Sequence, residues 1–473
     1  MKALKTLLAK SSPIRSKTVR SLMTATILAG AMSLSFIGGS VASVDREDDI
    51  YEQLDLLTRI LDRVRNEYVD EVDDRKVMEA AIQGMLKSLD PHSTYLNRDT
   101  FSQVRIQTEG EYGGLGIEVQ MDQGIVKVIS PIDDTPAFEA GIQGGDYITH
   151  INGEAIMGKT LTDAVKQMRG PVGSDIEITV VREGMEAPFD LVITRDKILV
   201  RSVRHRVEED TIGYIRVTTF NMQSGKGVED AILDLRSQLG DDMDGIILDL
   251  RNNPGGLLDE AIRITDAFLD QGEIVSTRGR RKTQNQHWFA KPGDLADGLP
   301  IVVLVNASSA SASEIVAGAL QDHRRAILVG DQTFGKGTVQ SEIRLGRKGD
   351  HAIRLTTARY YTPSGQSIQE RGIEPDIFYL FPRAGKRGPR READLSNVIE
   401  NDTNSIDRAG EIPLDEELQT FVEIEYDEEG KAKPLPDIQL QYAVSLLKDL
   451  SALPRPQVAQ ATIVDDEPTA AEN

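Results

Sequence analysis

Two short stretches place hydroxyls and an amine among very small residues. Residues 308–314 read SSASASE, directly after the apolar run IVVLV and at the start of a helical pattern. Residues 330–340 read GDQTFGKGTVQ, directly after the strand-like AILV. A serine oxygen attacks a carbonyl once a base takes its proton. A helix N-terminus beside that oxygen stabilises the developing negative charge, and alanines give a bulky substrate room to approach. A serine-rich helix cap is the plainer reading of the same run. The residues alone do not separate Ser309, Ser311 and Ser313 as nucleophile.

The base is the less obvious partner. GDQTFGKGT matches the phosphate-cradling pattern G-x-x-x-x-G-K-[ST], except that Gly337 stands where a magnesium-binding hydroxyl belongs. A phosphate loop must run into a helix. TVQSEIRL instead puts Val339, Ile343 and Leu345 on alternate positions of a strand, so the nucleotide reading fails and Lys336 is available for other chemistry. Histidine is the usual partner of a serine, but His323 follows Asp322 at the end of the serine's own helix, where it complements the dipole. His92 sits in DPHSTY beside the N-terminal helices, and no G-x-S-x-G turn is present. Ser445 and Lys448 form an S-x-x-K on a surface helix, which reads as chance. A lysine with a reference pKa of about 10.4 becomes a usable base when an apolar pocket lowers that value by up to about 3–5 units. Phe334 and the flanking glycines give Lys336 such surroundings, and Gln340 can hold the amine without adding a charge.

These stretches need a frame. From residue 212 onward, IGYIRVTTF, GIILDLR, PIVVLVN and AILVG alternate with amphipathic helical patterns, which predicts a mainly parallel sheet covered by helices. RNNPGG and NASSASAS then fall at carboxyl ends of strands, where open α/β sheets place their chemistry. Residues 106–198 have a different texture, with short strands, Gly-rich turns and two short helices. Tyr112-Gly113-Gly114-Leu115-Gly116-Ile117, the block PAFEAGIQGGDYITHING and the helix AVKQMRG resemble a PDZ domain. Backbone N–H groups around Gly114, Leu115 and Gly116 can converge on a carboxylate, and the strand from Ile117 can accept an extended peptide. Upstream, Ile50, Leu54, Leu57, Leu61, Val64 and Tyr68 form a helical seam that suits packing within the chain or a homodimer contact.

Composition narrows the class. The 473 residues carry a formal charge of −22 and no cysteine. That disfavours nucleic acid and removes thiolate chemistry and disulfides. A basic leader, an uncharged run and Ser40-Val41-Ala42 read as an export signal over residues 1–42, with an uncleaved membrane anchor as the alternative. Export without cysteine suits the periplasm or cell envelope of a bacterium. Residues 383–395, RAGKRGPRREADL, read as solvated, residues 437–450 as one amphipathic helix, and the last twenty as disordered.

NASSASASEIVAGALQD and GDQTFGKGTVQ together resemble the catalytic signature of carboxyl-terminal processing proteases. DLRNNPGG at 249–256, DPHSTYL at 90–96 and TTARYYTPSGQSIQERGIEPD at 356–376 extend the likeness over roughly residues 45–380. The resemblance implies a crotonase-like α/β core at 199–382, a mainly-β PDZ insert at 106–198, an N-terminal helical segment at 43–105 and a C-terminal extension from 383. It implies Ser311 as nucleophile, Lys336 as base and Gln340 as its orienting partner. It places the oxyanion hole at the Ala312 amide and at Gly255 or Gly256, with no metal or cofactor. The expected activity is an exported serine endopeptidase that captures nonpolar protein tails at Gly113–Ile117 and is open to a regulatory adaptor. The competing expectation is a peptide-binding adaptor with an inactive hydrolase core.

Overall fold

Strands buried on both faces dictate the centre of the molecule. The computed structural model describes residues 41–346, 349–379, 390–403 and 437–452. Residues 1–40 of the leader, 383–389 and the final tail lie outside the described residues. The chain divides into two units, 1–82 and 83–473.

The first unit holds helix α1 (Val41–Glu67) and the start of α2 (Asp74–Lys87). Within this unit the start of the α1 seam is exposed, with Ile50, Leu54 and Leu57 at 59, 53 and 43%, while Leu61 and Val64 are half-buried. No described helix is long and apolar enough to cross a membrane.

The second unit opens with β1 (Thr94–Leu96), α3 (Arg98–Glu109) and β2 (Glu111–Gly114). A mainly-β module follows, with β3 (Ile117–Asp122), β4 (Ile125–Pro131), α4 (Pro136–Glu139), β5 (Tyr147–Ile151) and β6 (Glu154–Ala155). It continues through α5 (Leu161–Met168), β7 (Asp175–Val181) and β8 (Phe189–Thr194). Its sheet runs β3-β4-β5-β7-β8 with every pairing antiparallel, and β3 lies at the edge. Alternate residues such as Val126, Val128, Ile148, Ile176, Ile178 and Val180 fill its own core. Strand β9 (Asp196–Leu199) pairs with β2 and closes the entry to the module.

The remainder is α/β. In chain order come β10 (Val203–Glu208), β11 (Ile212–Val217), α6 (Ser224–Leu239), β12 (Gly245–Asp249), α7 (Leu258–Asp266), β13 (Glu273–Gly279) and β14 (Gln286–Phe289). Then follow β15 (Ile301–Val305), α8 (Ala312–Asp322), β16 (Ile327–Gly330), β17 (Thr338–Leu345), β18 (His351–Tyr361), β19 (Ile377–Phe378) and α9 (Ile438–Ser451). The main sheet has the order β10-β11-β12-β15-β16-β19, parallel except for β10. Ile246, Leu248, Ile301, Val303 and Val305 face α6, α7 and α8, while Ile247, Val302, Leu304 and Val329 face α9. Both faces are covered, so the strands read as continuous apolar runs rather than alternating ones. Residues 437–450 do form the expected helix, and its Ala443, Val444 and Leu447 complete the second face.

One expectation fails. The segment 390–394 is solvated only in part: Arg390, Ala393 and Asp394 are exposed, but Glu392 is fully buried, and Arg391 donates to Thr333 O and Arg371 O at 2.6 and 3.0 Å. A charge-rich composition favours solvation only while no buried acceptors await those charges.

Candidate active site

Three loops leave the carboxyl ends of the neighbouring parallel strands β12, β15 and β16, and hydrogen bonds stitch them together. The first (251–256) and second (306–311) are joined by Asn252 N to Asn306 Oδ1 at 3.0 Å and by Asn306 Nδ2 to Asn252 Oδ1 at 2.9 Å. Ala310 N donates to Asn253 O at 3.0 Å. The third loop (331–337) joins through Phe334 N to Ser309 O, also 3.0 Å.

The stitching separates the serines that sequence left open. Ser309 Oγ donates to Leu250 O at 2.8 Å and Ser313 Oγ to Asn253 O at 3.0 Å, so both hydroxyls are committed to main chain. Ser311 Oγ has no hydrogen-bond partner among the described residues, and the residue retains 8% exposure. It sits at the N-terminus of α8 with φ 56° and ψ −111°, in a region that side-chain-bearing residues rarely occupy.

Glu314 holds that strained turn. Its carboxylate is fully buried and accepts from Ser311 N (2.6 Å) and Lys336 N (3.0 Å) on Oε2. On Oε1 it accepts from Gly335 N and Thr333 Oγ1, both at 2.6 Å. One oxygen thus joins the backbones of the candidate nucleophile and the candidate base. Burial pushes this carboxyl up to about 7, against the pull of its four donors.

The Lys336 amine is lowered from the ordinary lysine value, chiefly by desolvation. Glu392 opposes that shift most strongly among the neighbouring charges, Arg354 assists it, and Glu314 and Asp90 oppose it. Among the described residues the amine hydrogen-bonds to neither Ser311 Oγ nor Gln340. Gln340 Nε2 instead donates to Thr338 Oγ1 at 3.0 Å and Thr356 Oγ1 at 3.3 Å. Thr356 leads on to the DPHS turn, giving its hydroxyl proton to Asp90 Oδ1 at 3.0 Å and its N–H to Ser93 Oγ at 3.1 Å. Burial raises the Asp90 carboxyl, but donors from Ser93, His92 and Thr356 together hold it below the usual value.

The glycine loop distinguishes its two members. Gly255 N is used by Asn253 Oδ1 at 2.9 Å, whereas Gly256 N and Ala312 N have no partner among the described residues. Gly255 still matters for space, since a Cβ there would lie 2.6 Å from Ala310 O and 2.9 Å from Ala312 N. Behind this loop Arg251 is held bidentately by Asp437, both contacts 2.7 Å, and by Asp249. That latch ties the loop to the start of α9.

At the edge of the β module, Ala137 N donates to Leu115 O at 2.9 Å, and Ile132 N to Gly116 O at 2.8 Å. The carbonyls are thereby occupied, while the N–H groups of Leu115 and Gly116 have no partner among the described residues. Gly116 has φ 81°, and a Cβ there would lie 2.3 Å from Thr135. Gly113 and Gly114 are set differently, inside β2 and paired with Lys197 and Asp196. Ile117 begins the exposed edge β3. No metal-binding cluster occurs among the described residues.

Glu314, Glu392, Gln369 and Arg251 were not singled out from the sequence. For Glu314 a signal existed, since serine followed three residues later by glutamate is a capping pattern. Glu392 and Gln369 meet each other and the base's loop only in the fold, and for Arg251 the nearby Asp249 gives no sign of the more distant partner, Asp437.

With that geometry in hand, three sequence comparisons become informative. The pattern of "Peptidase family S41" matches residues 211–379, that of a PDZ domain residues 113–193, and that of the N-terminal domain of the activating protease CtpB residues 35–100. A carboxy-terminal-processing protease of Bartonella bacilliformis is 52% identical over 341 residues, covering 72% of this chain and 78% of that one. Carboxy-terminal processing protease CtpB of Bacillus subtilis is 33% identical over 372 residues, covering 78% of this chain and 75% of that one. A solved photosystem II D1 C-terminal processing protease shares 29% identity with a TM-score of 0.40, covering 67% of this chain and 84% of that one.

Proposed function

Because this chain belongs to peptidase family S41, among the carboxy-terminal processing proteases, it is a serine-type peptidase with a PDZ domain, and we propose that it is an exported enzyme that cleaves proteins near nonpolar C-termini with a Ser311/Lys336 dyad. One observation carries the reading. Of Ser309, Ser311 and Ser313, Ser311 alone keeps its hydroxyl uncommitted, and its backbone shares a carboxylate oxygen with that of Lys336.

In the proposed reaction the neutral Lys336 amine takes the Ser311 Oγ proton as Oγ bonds to the scissile carbonyl carbon. The Ala312 and Gly256 N–H groups face the oxygen that becomes negative. Collapse of the tetrahedral intermediate breaks the C–N bond, and Lys336 returns its proton to the leaving amine. Water, deprotonated by the same lysine, then hydrolyses the acyl-enzyme. No Lys336–Ser311 hydrogen bond occurs among the described residues, and such contacts commonly tighten only when substrate binds. Gln340 swinging from Thr338 to the amine would complete that step. Tail binding at Leu115, Gly116 and Ile117 gates the change, and the enzyme is open to a regulatory adaptor. The core is proposed as crotonase-like, and the exposed face of α1 suits a second copy of the chain. A peptide-binding adaptor with a dead hydrolase core is not favoured, because Ser311, Lys336 and Gln340 are all retained.

A peptide with a free apolar C-terminus tests the reading against its C-terminal amide. Full-length Ser311→Ala protein should bind the free acid at least about tenfold more tightly, since a buried polar cradle is left unpaired by the amide. Equal affinities would refute capture through the carboxylate.

A further inference from the structure

Residues 390–403 lie beyond the span matched by the peptidase family and return to the site as a strap. Glu392 N donates to Phe334 O at 3.0 Å. Its carboxylate accepts from Gln369 Nε2 at 3.1 Å, and Gln369 Oε1 accepts from Gly337 N at 2.9 Å. The strap therefore holds main chain on both sides of Lys336. The same carboxylate lies 2.8 and 2.9 Å from His92 Nε2, which ties it to the DPHS turn. Further along, Asn401 Nδ2 donates to Gln369 O at 2.6 Å, and Tyr361 OH to Asp402 Oδ2 at 2.5 Å.

A carboxylate is expensive to bury unless donors meet it. Here the donors are Gln369, whose own side-chain oxygen accepts from Gly337 N beside the base, and His92 of the turn behind it. We propose that residues 390–403 are a strap that positions the general base, with Glu392 as the positioning residue that fixes the Lys336 backbone and sets the field at its amine. The proposal rests on Lys336 being the base. The charged groups facing that amine are Glu392 from the strap, Arg354 from β18, Glu314 from α8 and Asp90 from the DPHS turn, with desolvation the largest influence. His92 is the titratable partner of Glu392 on its far side.

Full-length Glu392→Gln and Glu392→Ala separate the two roles. Glutamine keeps an acceptor for Gln369 but removes the charge that favours the ammonium. Its acid limb in kcat/KM should therefore move to lower pH by roughly one unit, with kcat on the alkaline plateau largely retained. Alanine removes the acceptor too and should lower plateau kcat about tenfold with KM nearly unchanged. A merely structural strap would lower the melting temperature in both variants and leave the pH limb in place. A limb unmoved in both variants, or a Glu392→Ala kcat within about twofold of the parent, would overturn the proposal. Lys336→Ala run alongside keeps the outcomes apart. If it stays inactive while the Glu392 variants behave as the parent, the strap fails and the base stands.

Discussion

Lys336→Ala should lower kcat by about four orders of magnitude while leaving the affinity for a peptide tail unchanged. The loss follows because neither nearby histidine is free to replace the amine. His323 is committed to Glu273 O at 2.7 Å, and His92 to Glu392. Lys336→Arg should be equally inactive, because a guanidinium does not lose its proton in water. Ser311→Ala should match Lys336→Ala, and the double variant should be no worse than either, since the two residues act as a unit. In the parent, kcat/KM should rise with pH along a limb centred below 10.5, the ordinary lysine value. The sign follows from burial: desolvation penalises the ammonium, so the neutral base is present at lower pH than in water. Retention of more than about a tenth of the parent rate by Lys336→Ala would remove the lysine from the mechanism.

Glu314→Ala has the second largest expected effect, and it acts on both stability and rate. Removing the carboxylate leaves three main-chain N–H groups and the Thr333 hydroxyl without an acceptor in buried surroundings. Each such loss costs about 1–3 kcal/mol, so a fall in melting temperature of roughly 10 °C or more is expected. The turn at Ser311 and the loop of Lys336 lose the oxygen they share, so kcat should fall about a hundredfold with KM less affected. Glu314→Gln should be nearly as poor, because in either orientation its amide NH₂ would face at least one main-chain N–H, which can only donate. Calorimetry across pH gives a second readout. A carboxyl raised in the folded state from 4.5 to about 7 contributes stability at low pH that declines as pH climbs between those values. That slope should be shallower in Glu314→Ala. A variant with parental kcat and melting temperature would show that Glu314 links nothing.

How much of this was readable in advance depends on how local each signal is. The parallel sheet could be read because strands such as β12 and β15 are buried on both faces and so leave uninterrupted apolar runs. The strand character of TVQSEIRL likewise sufficed to exclude a phosphate loop at Lys336, and β17 spans Thr338–Leu345. Choosing among the serines was different. Ser309, Ser311 and Ser313 differ only in what accepts their protons, and those acceptors belong to the 250–253 loop on another strand. The strap was misread for the same reason. RREADL is polar enough to be solvated, and only the folded chain places Gln369, His92 and Thr333 where its charges can be met. Gly255 and Gly256 look equivalent in sequence, and Asn253 Oδ1 makes them inequivalent.

Covalent labelling tests the dyad most directly. Full-length protein and Lys336→Ala are each treated with a fluorophosphonate, and the modified residue is mapped by peptide mass spectrometry. The parent should gain one adduct, on Ser311, at a rate that rises with pH, and Lys336→Ala should label far more slowly. An adduct on Ser309 or Ser313, or equal labelling of Ser311 with and without the Lys336 amine, would contradict it.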